Sequence, residues 1–258
     1  MRRAVRLLRE SFPASPALDT AVSHALLRRV SGGLEPETLR LHRPGSIVAF
    51  GPKDRLSTGY PIALAAAQAQ GFSAVERLAG GSAAVFHHQT IALAWILPDP
   101  SPRLHITARF QEAARIVAAA LRSLGVDARI GEIPGEYCPG AHSVNARGAK
   151  KLMGVGQRLL QHAAHVGAVV VVGGSDRIRR VLVPVYQALG LEWDPATAGS
   201  IQDEVPGVAW GQAERAILDH FAASYDLQES SLTPEALELA RQLEPRHRPA
   251  ARAETDSL

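Results

Sequence analysis

The spacing of apolar residues changes repeatedly along this chain, and that alternation limits the fold to a mixture of helices and strands. Apolar residues recur every three or four positions over 107–124, which is typical of an amphipathic helix. The run 166–172 is short and continuously apolar, which favours a buried strand. Helices are also predicted over 18–29, 62–69, 176–189, 209–225 and a short stretch ending at 243, and strands over 39–41, 46–50, 82–87, 90–97 and 127–130. The pattern predicts an α/β (α+β) fold with helices flanking a mixed β-sheet.

The pattern divides the chain into a main domain over 1–227 and a polar C-terminal part over 228–258. In the second part, Thr233 and Pro234 have the order of a helix N-cap followed by a first-turn proline. Past Glu244 the chain is polar and rich in arginine, which predicts disorder.

Composition restricts the location and the partners of the chain. No apolar run approaches the roughly 20 residues that span a bilayer, and no apolar stretch follows the basic N-terminus as it would in a secretory signal. We therefore expect a cytoplasmic protein without membrane contact. The net charge is only +3 and aromatic residues make up 5%, so a nucleic-acid partner is not predicted. A mild positive charge suits an acidic protein partner. The absence of coiled-coil spacing favours a monomer.

The chain has a single cysteine, Cys138, so it cannot form an intrachain disulfide. Flanking glycines and a proline in the segment 135–140 predict a loop around it. Only three of the 28 basic residues are lysines, and two of them, Lys150 and Lys151, follow this loop. An ammonium group near a cysteine can favour the thiolate and polarise a bound carbonyl. The alternatives are a small buried cysteine and a solvated loop lysine.

Two glycine-containing segments could bring backbone amides close to a ligand. Gly80 and Gly81 follow Arg77, and Gly154 and Gly156 follow Lys151. An ordinary turn is the alternative at the first pair. Neither segment has a standard phosphate-loop pattern, so nucleotide binding is not supported.

Other chemistry is disfavoured by the residues available. The histidines that could suggest a metal lack a completing cysteine or carboxylate, so no metal is predicted; they are His87, His88, His142, His162 and His165. No Gly-x-Ser-x-Gly elbow occurs, which disfavours a serine hydrolase. No cofactor is predicted.

Taken in order, these segments resemble the biotin/lipoate protein ligase superfamily, in the branch of lipoate ligases and octanoyltransferases. The similar segments are the helix 18–29, the strand into Phe50-Gly51, Arg77-x-x-Gly80-Gly81-x-Ala83-x-Val85-Phe86-His87, and Lys151-Leu152-Met153-Gly154-x-x-Gln157-Arg158. The chain departs from the family where Leu78 and Ser82 replace an arginine and a glycine, and where an Asp and a Gly-Asn pair are missing after His87. The resemblance covers about 1–225 and implies the catalytic-domain fold of this superfamily for 1–227.

The segment Tyr137-Cys138-Pro139-Gly140 resembles that of cysteine-dependent octanoyltransferases. This resemblance implies that Cys138 accepts the acyl group as a thioester and that Lys151 assists at its carbonyl. It further implies a pocket for the acyl group or carrier arm lined by Arg77, Gly80, Gly81, Ser82, Ala83, His87, Gly154 and Gly156. The implied donor is the glycine-cleavage H protein or acyl carrier protein, and the implied acceptor is a lysine of a lipoyl-domain protein.

The predicted function is therefore octanoyl or lipoyl transfer in protein lipoylation. One alternative is an ATP-dependent lipoate–protein ligase, which would use Lys151 but has no chemical need for Cys138. A second alternative is a non-catalytic module that binds acylated carrier proteins. A biotin ligase is disfavoured because its glycine-rich loop pattern is missing.

Overall fold

The computed structural model describes residues 2–249, which form eleven strands and seven α-helices. The strands are β1 (Arg3–Leu8), β2 (Thr38–His42), β3 (Ile47–Phe50), β4 (Ser73–Glu76), β5 (Ala84–Phe86), β6 (Thr90–Pro98), β7 (Ala128–Ile130), β8 (Val144–Ala146), β9 (Lys150–Leu159), β10 (Ala163–Val171) and β11 (Tyr225–Glu229). The helices are α1 (Pro16–Ser31), α2 (Tyr60–Ala69), α3 (Ile106–Ser123), α4 (Ser175–Leu189), α5 (Ile201–Glu204), α6 (Trp210–Ala222) and α7 (Pro234–Leu243).

Eight strands form a large sheet in the order β11-β1-β2-β6-β10-β9-β8-β7, and three form a small sheet in the order β4-β3-β5. In the large sheet β1 pairs parallel with β11 and with β2, and the remaining pairs are antiparallel. Helices α3 and α6 pack on one face of this sheet. Helices α1 and α7 cover part of the other face. The predicted mixed sheet flanked by helices is confirmed.

The strongest periodic pattern in the sequence corresponds to α3. The predicted helix over 107–124 matches Ile106–Ser123, and Ala113, Val117, Ala120 and Leu121 are buried against the large sheet. Its apolar stripe faces the sheet because residues three and four apart share one side of a helix. Within residues 2–249, no helix is long and apolar enough to cross a membrane.

Small side chains leave a cavity on the face of the large sheet that α1 partly covers. Successive residues of a strand point to opposite faces, so Ala92 and Ala94 of β6 lie on this face while their neighbours enter the α3 core. The opposed residues across β2, β6, β10 and β9 form two rows, Arg40–Ala94–Gly167–Gly156 and His42–Ala92–Val169–Gly154. Since glycine and alanine project little from the backbone, the sheet does not fill the space beside it.

The two outermost strands on one side of the large sheet, β11 and β1, differ from the sequence prediction. No strand was predicted at β1, where Arg3 and Ala4 are exposed, Arg6 is half-buried, and only Val5, Leu7 and Leu8 are buried. β11 begins at Tyr225, the last residue of the predicted helix 209–225, and is mostly exposed. Its order comes from pairing with β1, from Arg3↔Tyr225 to Leu7↔Glu229, which apolar periodicity cannot reveal.

The segment after β11 packs back onto the rest of the fold. Helix α7 buries its apolar side against α1. Disorder was predicted past Glu244, but Glu244–His247 forms a 3-10 turn with His247 buried. Its Nδ1–H donates to the Glu76 carbonyl oxygen at 2.8 Å, and its Nε2 lies 3.0 Å from His24 Nδ1; these contacts order the turn. Residues 250–258, the rest of the predicted disordered tail, lie outside the described residues.

A buried charge network ties β2 to α1. Arg40 is fully buried, pairs with the Asp19 carboxylate and donates to the Glu10 carbonyl oxygen. His42 Nε2 lies 3.2 Å from the second Asp19 oxygen. Burial alone would raise the pKa of Asp19, but His42 and Arg40 outweigh burial and hold that pKa well below its usual value. Asp19 therefore stays ionised and balances the charge of Arg40.

Asp19→Asn is expected to destabilise the fold by about 3–5 kcal/mol at neutral pH, because it leaves the buried Arg40 without a countercharge. The pKa of Asp19 is lower in the folded than in the unfolded chain. Its stabilising contribution is therefore complete above the unfolded value of 3.8 and is lost as the pH falls below it. Urea denaturation at neutral pH and at about pH 3 should show a deficit that shrinks in acid.

Asp176→Asn is the control, because it removes an exposed partner of Arg180 and should change the free energy of unfolding little. A deficit for Asp19→Asn that is the same at both pH values would contradict the ionised state assigned to Asp19.

Candidate active site

Cys138 is half-buried on the loop 131–143, which joins β7 to β8, and it lines the cavity. Its φ of 43° lies in the left-handed region, which residues other than glycine rarely adopt. The Cys138 N–H donates to the Tyr186 hydroxyl oxygen at 2.9 Å, and that hydroxyl donates to the Ala83 carbonyl oxygen at 2.9 Å. Burial raises the pKa of Tyr186 well above its usual value, so the hydroxyl keeps the proton that it donates. Tyr186 thereby links the cysteine loop to the turn before β5.

Lys151 of β9 is buried to 1% exposure directly behind the cysteine loop. Its ammonium group donates to Glu136 Oε1 at 2.8 Å, to the Tyr137 carbonyl oxygen at 2.9 Å and to the Cys138 carbonyl oxygen at 2.8 Å. An ammonium group has three protons, so these acceptors use all of them. In this state Lys151 holds the loop, and it could reach an acyl carbonyl only after releasing one of these acceptors.

Arg77 follows β4 and contacts the cysteine at its sulfur, whereas Lys151 contacts its carbonyl oxygen. Its Nη1 lies 3.8 Å from Cys138 Sγ and donates to the Ser82 carbonyl oxygen at 2.9 Å, while Nε donates to the Ala79 carbonyl oxygen at 3.0 Å. The guanidinium thus folds the turn 79–82 around itself and presents positive charge to the sulfur. A cation in this position can pair with a cysteine thiolate.

Gly81 allows this close approach. Its φ is 104°, and a Cβ at this position would lie 2.8 Å from Cys138 Sγ and 2.5 Å from Arg77 Nη2. Any side chain would therefore displace the sulfur or the guanidinium.

The cavity beside Cys138 has a volume of about 130 Å³ and is mainly apolar. Its floor is formed on β2, β6, β10 and β9 by opposed residues that run from His42 to Gly154 and Gly156 and are mostly glycine or alanine. Its cover comes from β3, β5 and the turn after β4. Since β9 and β2 are separated by β10 and β6, the floor crosses three interstrand spacings of about 4.8 Å, roughly 14 Å in all. Polar side chains also line the cavity, namely Asp19, Thr20 and Ser23 of α1, His42 of β2 and His165 of β10.

The structure brings most of the predicted site residues together. Five of them line the cavity: Arg77, Cys138, Lys151, Gly154 and Gly156. Four more form the adjoining turn, which packs against Arg77 and the cysteine loop: Gly80, Gly81, Ser82 and Ala83. A Cβ on Gly156 would lie 3.4 Å from the Gly80 carbonyl oxygen and 3.3 Å from Arg77 Nη2, so the two glycine segments face each other.

His87 lies apart from this group. It is fully buried, and its ring lies 2.8 Å from the position of a Cβ on Gly174, at the start of α4. Its Nδ1 accepts from the Gln89 N–H at 3.2 Å, and Nε2 has no partner among the described residues. Burial lowers the pKa of His87 to about 4, so the ring is neutral at physiological pH. The predicted contact of His87 with an acyl group or carrier arm stays a prediction.

Sequence reasoning assigned no role to two residues that organise the cysteine loop. Glu136 lies two positions before Cys138 and pairs with Lys151. The sequence does carry a signal for this role, since an acid stands beside the lone cysteine. Tyr186 is a buried helix residue 48 positions away, and nothing in the sequence links it to the loop. Among residues 2–249, no cluster of three or more histidine, cysteine or acidic side chains could hold a metal ion.

Tyr186→Phe is expected to destabilise the fold by about 1–3 kcal/mol, because it leaves the Cys138 N–H without its acceptor. It should also speed alkylation of Cys138 by iodoacetamide, because the loop opens more often. Chemical denaturation and mass spectrometry measure the two effects.

Tyr60→Phe is the matched control, because the Tyr60 hydroxyl is buried without a partner among the described residues. Its removal should not reduce stability and should leave alkylation unchanged. Equal results for the two variants would show that the Tyr186 hydroxyl does not hold the loop.

Comparison with known proteins identifies the family. Residues 15–222 match the lipoyl protein ligase A/B catalytic domain. No curated protein matches the chain significantly.

Solved structures share the fold over almost the whole chain. Ta0514 of T. acidophilum with bound lipoic acid is 22% identical with a TM-score of 0.74, covering 94% of this chain and 95% of that one. A lipoate-protein ligase A bound with ATP is 21% identical with a TM-score of 0.75, covering 95% of both chains. A bi-partite lipoate protein ligase of Thermoplasma acidophilum, described with its E2 lipoyl domain, is 21% identical with a TM-score of 0.75, covering 95% of this chain and 93% of that one.

At these identities the solved structures support a common fold, and the family match extends over most of the chain. The chain belongs to the lipoyl protein ligase A/B catalytic domain family.

Proposed function

We propose that this protein transfers an octanoyl or lipoyl group from an acyl-carrier protein to a lysine of a lipoyl-domain protein, through a thioester on Cys138. The observation that carries the proposal is the position of the sulfur, which lines an apolar cavity 3.8 Å from the Arg77 guanidinium. A nucleophilic cysteine needs a cation or a base beside it, and Arg77 supplies the cation. Membership of a lipoyl protein ligase family supports the nature of the acyl group and of the acceptor.

The cavity has a suitable length for a medium-chain acyl group. Three consecutive bonds of a polypeptide backbone, from one Cα to the next, span about 3.8 Å. An extended acyl chain has similar bond geometry, so the seven carbon–carbon bonds of an octanoyl group span roughly 9 Å. The cavity floor crosses roughly 14 Å from Gly154 beside Lys151 to His42. An acyl group attached to Cys138 can therefore lie along the floor, over the glycines and alanines.

Two exchanges at one carbonyl carbon account for the reaction. The Cys138 sulfur first bonds to the carbonyl carbon of a carrier thioester, the donor carbon–sulfur bond breaks, and the Cys138 proton ends on the released thiol. The acceptor lysine nitrogen then bonds to the same carbon, the Cys138 thioester breaks, and the amine proton returns to the cysteine. With octanoyl H protein as donor, the first bond broken is an amide and the released group is a lysine amine. Neither route requires ATP.

An ATP-dependent lipoate–protein ligase is the second candidate. The likeness to solved lipoate–protein ligases, one of them bound with ATP, favours it over cysteine-dependent transfer. The placement of Cys138 favours transfer, because a ligase that activates its acid as an adenylate has no need of a thiol.

Octanoyl acyl carrier protein or octanoyl H protein should add one octanoyl group to the intact protein, and hydroxylamine should remove it. Cys138→Ala should gain no octanoyl mass, because it lacks the sulfur that forms the thioester. Intact-mass spectrometry measures both. Cys138→Ser preserves the shape of the side chain and tests whether sulfur itself is required.

The competing functions give different results in the same assay. Acylation of a lipoyl domain by free octanoate or lipoate with ATP, unaffected by Cys138→Ala, would establish the ligase and exclude the proposal. Tight binding of the loaded carrier without any covalent transfer would identify a non-catalytic module.

Gly154→Val is expected to slow octanoyl loading of Cys138 at least tenfold, because its side chain enters the cavity beside Lys151. A Cβ there would lie 3.4 Å from Lys151 Cε, which is an ordinary contact, and valine suits a strand. The melting temperature should therefore change little. Gly154→Ala should have a smaller effect on the loading rate, and equal rates for wild type and Gly154→Val would place the acyl chain elsewhere.

A further inference from the structure

We propose that Glu136 is a positioning residue that keeps Lys151 charged and aimed at the cysteine loop during acyl transfer. This inference rests on the proposed thioester chemistry at Cys138. Glu136 lies two residues before Cys138 and is buried to 3% exposure, with its carboxylate fully buried. A buried carboxylate needs several donors, and here those donors are parts of the cysteine loop and Lys151.

The Glu136 carboxylate closes the loop 131–143 on both sides of Cys138. On the near side, the Ile133 N–H donates to Oε2 at 3.2 Å. On the far side, the Gly140 N–H donates to Oε1 at 3.1 Å and the Ser143 hydroxyl donates to it at 2.6 Å. Because donors before and after Cys138 converge on one side chain, the position of the cysteine depends on that side chain.

The same carboxylate is the countercharge of Lys151. The two side chains are 1% and 0% exposed and 2.8 Å apart. The other two acceptors of the ammonium are carbonyl oxygens, which carry no net charge. A buried ammonium without a countercharge tends to lose its proton, so Glu136 preserves the charged form of Lys151.

At the base of the loop, the Cys138 carbonyl oxygen accepts one of the three hydrogen bonds donated by the Lys151 ammonium group. We infer that the carbonyl oxygen of an acyl group bound beside the sulfur replaces the Cys138 carbonyl oxygen as the acceptor of this hydrogen bond. The hydrogen bond from Lys151 to Glu136 is retained. The ammonium then stays in place as one carbonyl replaces the other. Glu136 acts on the reaction through Lys151, and no contact with the acyl group is required.

Other charged or titratable groups surround the Glu136–Lys151 pair and contribute to the pH dependence of the loading rate. Cys138 and Arg77 lie on the cavity side, and Tyr137 lies against Lys151, with the ammonium 5.0 Å from its ring centroid. Burial raises the pKa of Tyr137, so it stays neutral. Three acids line a cleft beside the loop: Glu132 belongs to the loop itself, and Glu192 and Asp194 belong to the segment after α4.

The test compares the rate of octanoyl loading from octanoyl acyl carrier protein in wild type and Glu136→Gln at several pH values. The variant should be about 100-fold slower near pH 8, a loss typical of misplaced catalytic groups. Its deficit should shrink at least tenfold near pH 6, because acid returns the proton to the unpaired Lys151. Each rate is divided by the wild-type rate at the same pH, so that pH effects common to both proteins cancel.

Three further variants separate positioning from a merely structural role. Glu136→Asp keeps the charge and should restore part of the rate. Glu132→Gln removes an exposed acid of the same loop and should behave as wild type. Lys151→Met should make the further change Glu136→Gln almost without effect on loading, since coupled residues are not additive. The double variant removes both charges, which limits the risk of unfolding.

A folded Glu136→Gln protein that loads at the wild-type rate, or whose deficit is the same at every pH, would overturn the inference. If wild type accepts no acyl group from any donor, the proposed function fails separately. Alkylation of Cys138 by iodoacetamide then tests the loop without an acyl donor. Glu136→Gln should react faster than Glu132→Gln, and equal rates would show that Glu136 does not hold the cysteine loop.

Discussion

The candidate site depends on the small side chains that face it from three neighbouring strands. Protein interiors are close-packed, so an open cavity persists only where no side chain can fill it. At Gly156 a Cβ would already lie 3.1 Å from the Ala79 Cβ, and at Gly167 it would lie 2.6 Å from the His165 ring. The elements that cover the cavity, β3 and β5, pack into a separate core with α2 and α4, which holds them away from the floor of the cavity. The cavity is thus a consequence of strand register, because every second residue of β6, β9 and β10 shares one face.

Local spacing was enough to predict elements whose apolar residues face a single core. The helix over 107–124 was located to within a residue because it has one buried stripe, and the run 166–172 fell within or beside β10 because both faces of that strand are covered. β1 and β11 were not predicted; β11 is ordered by β1, more than 200 residues away in the chain, and β1 is held between β11 and β2. The short turn that contains His247 was missed for the same reason: its contacts are with Glu76 and His24, far away in the chain.

At the candidate site, sequence order indicated which residues belong together but not how they are arranged. The proximity of Cys138 and Lys151 followed from their short separation and from family resemblance. That all three ammonium protons of Lys151 are used within the loop could not be foreseen, because the acceptors include two backbone carbonyl oxygens. The link through Tyr186 depends on how α4 packs against the turn before β5. Such hydrogen bonds follow from tertiary structure and leave no periodic trace in the sequence.

The two strands at one edge of the large sheet lie outside the region that matches the family. That region is 15–222, whereas β1 is Arg3–Leu8 and β11 is Tyr225–Glu229. Among residues 2–249, β11 pairs only with β1, and β1 separates it from β2. A fragment cut at the family boundaries would expose β2 as a bare edge, which invites pairing between molecules. The two ends of this chain therefore have to be kept together whenever the domain is shortened or grafted.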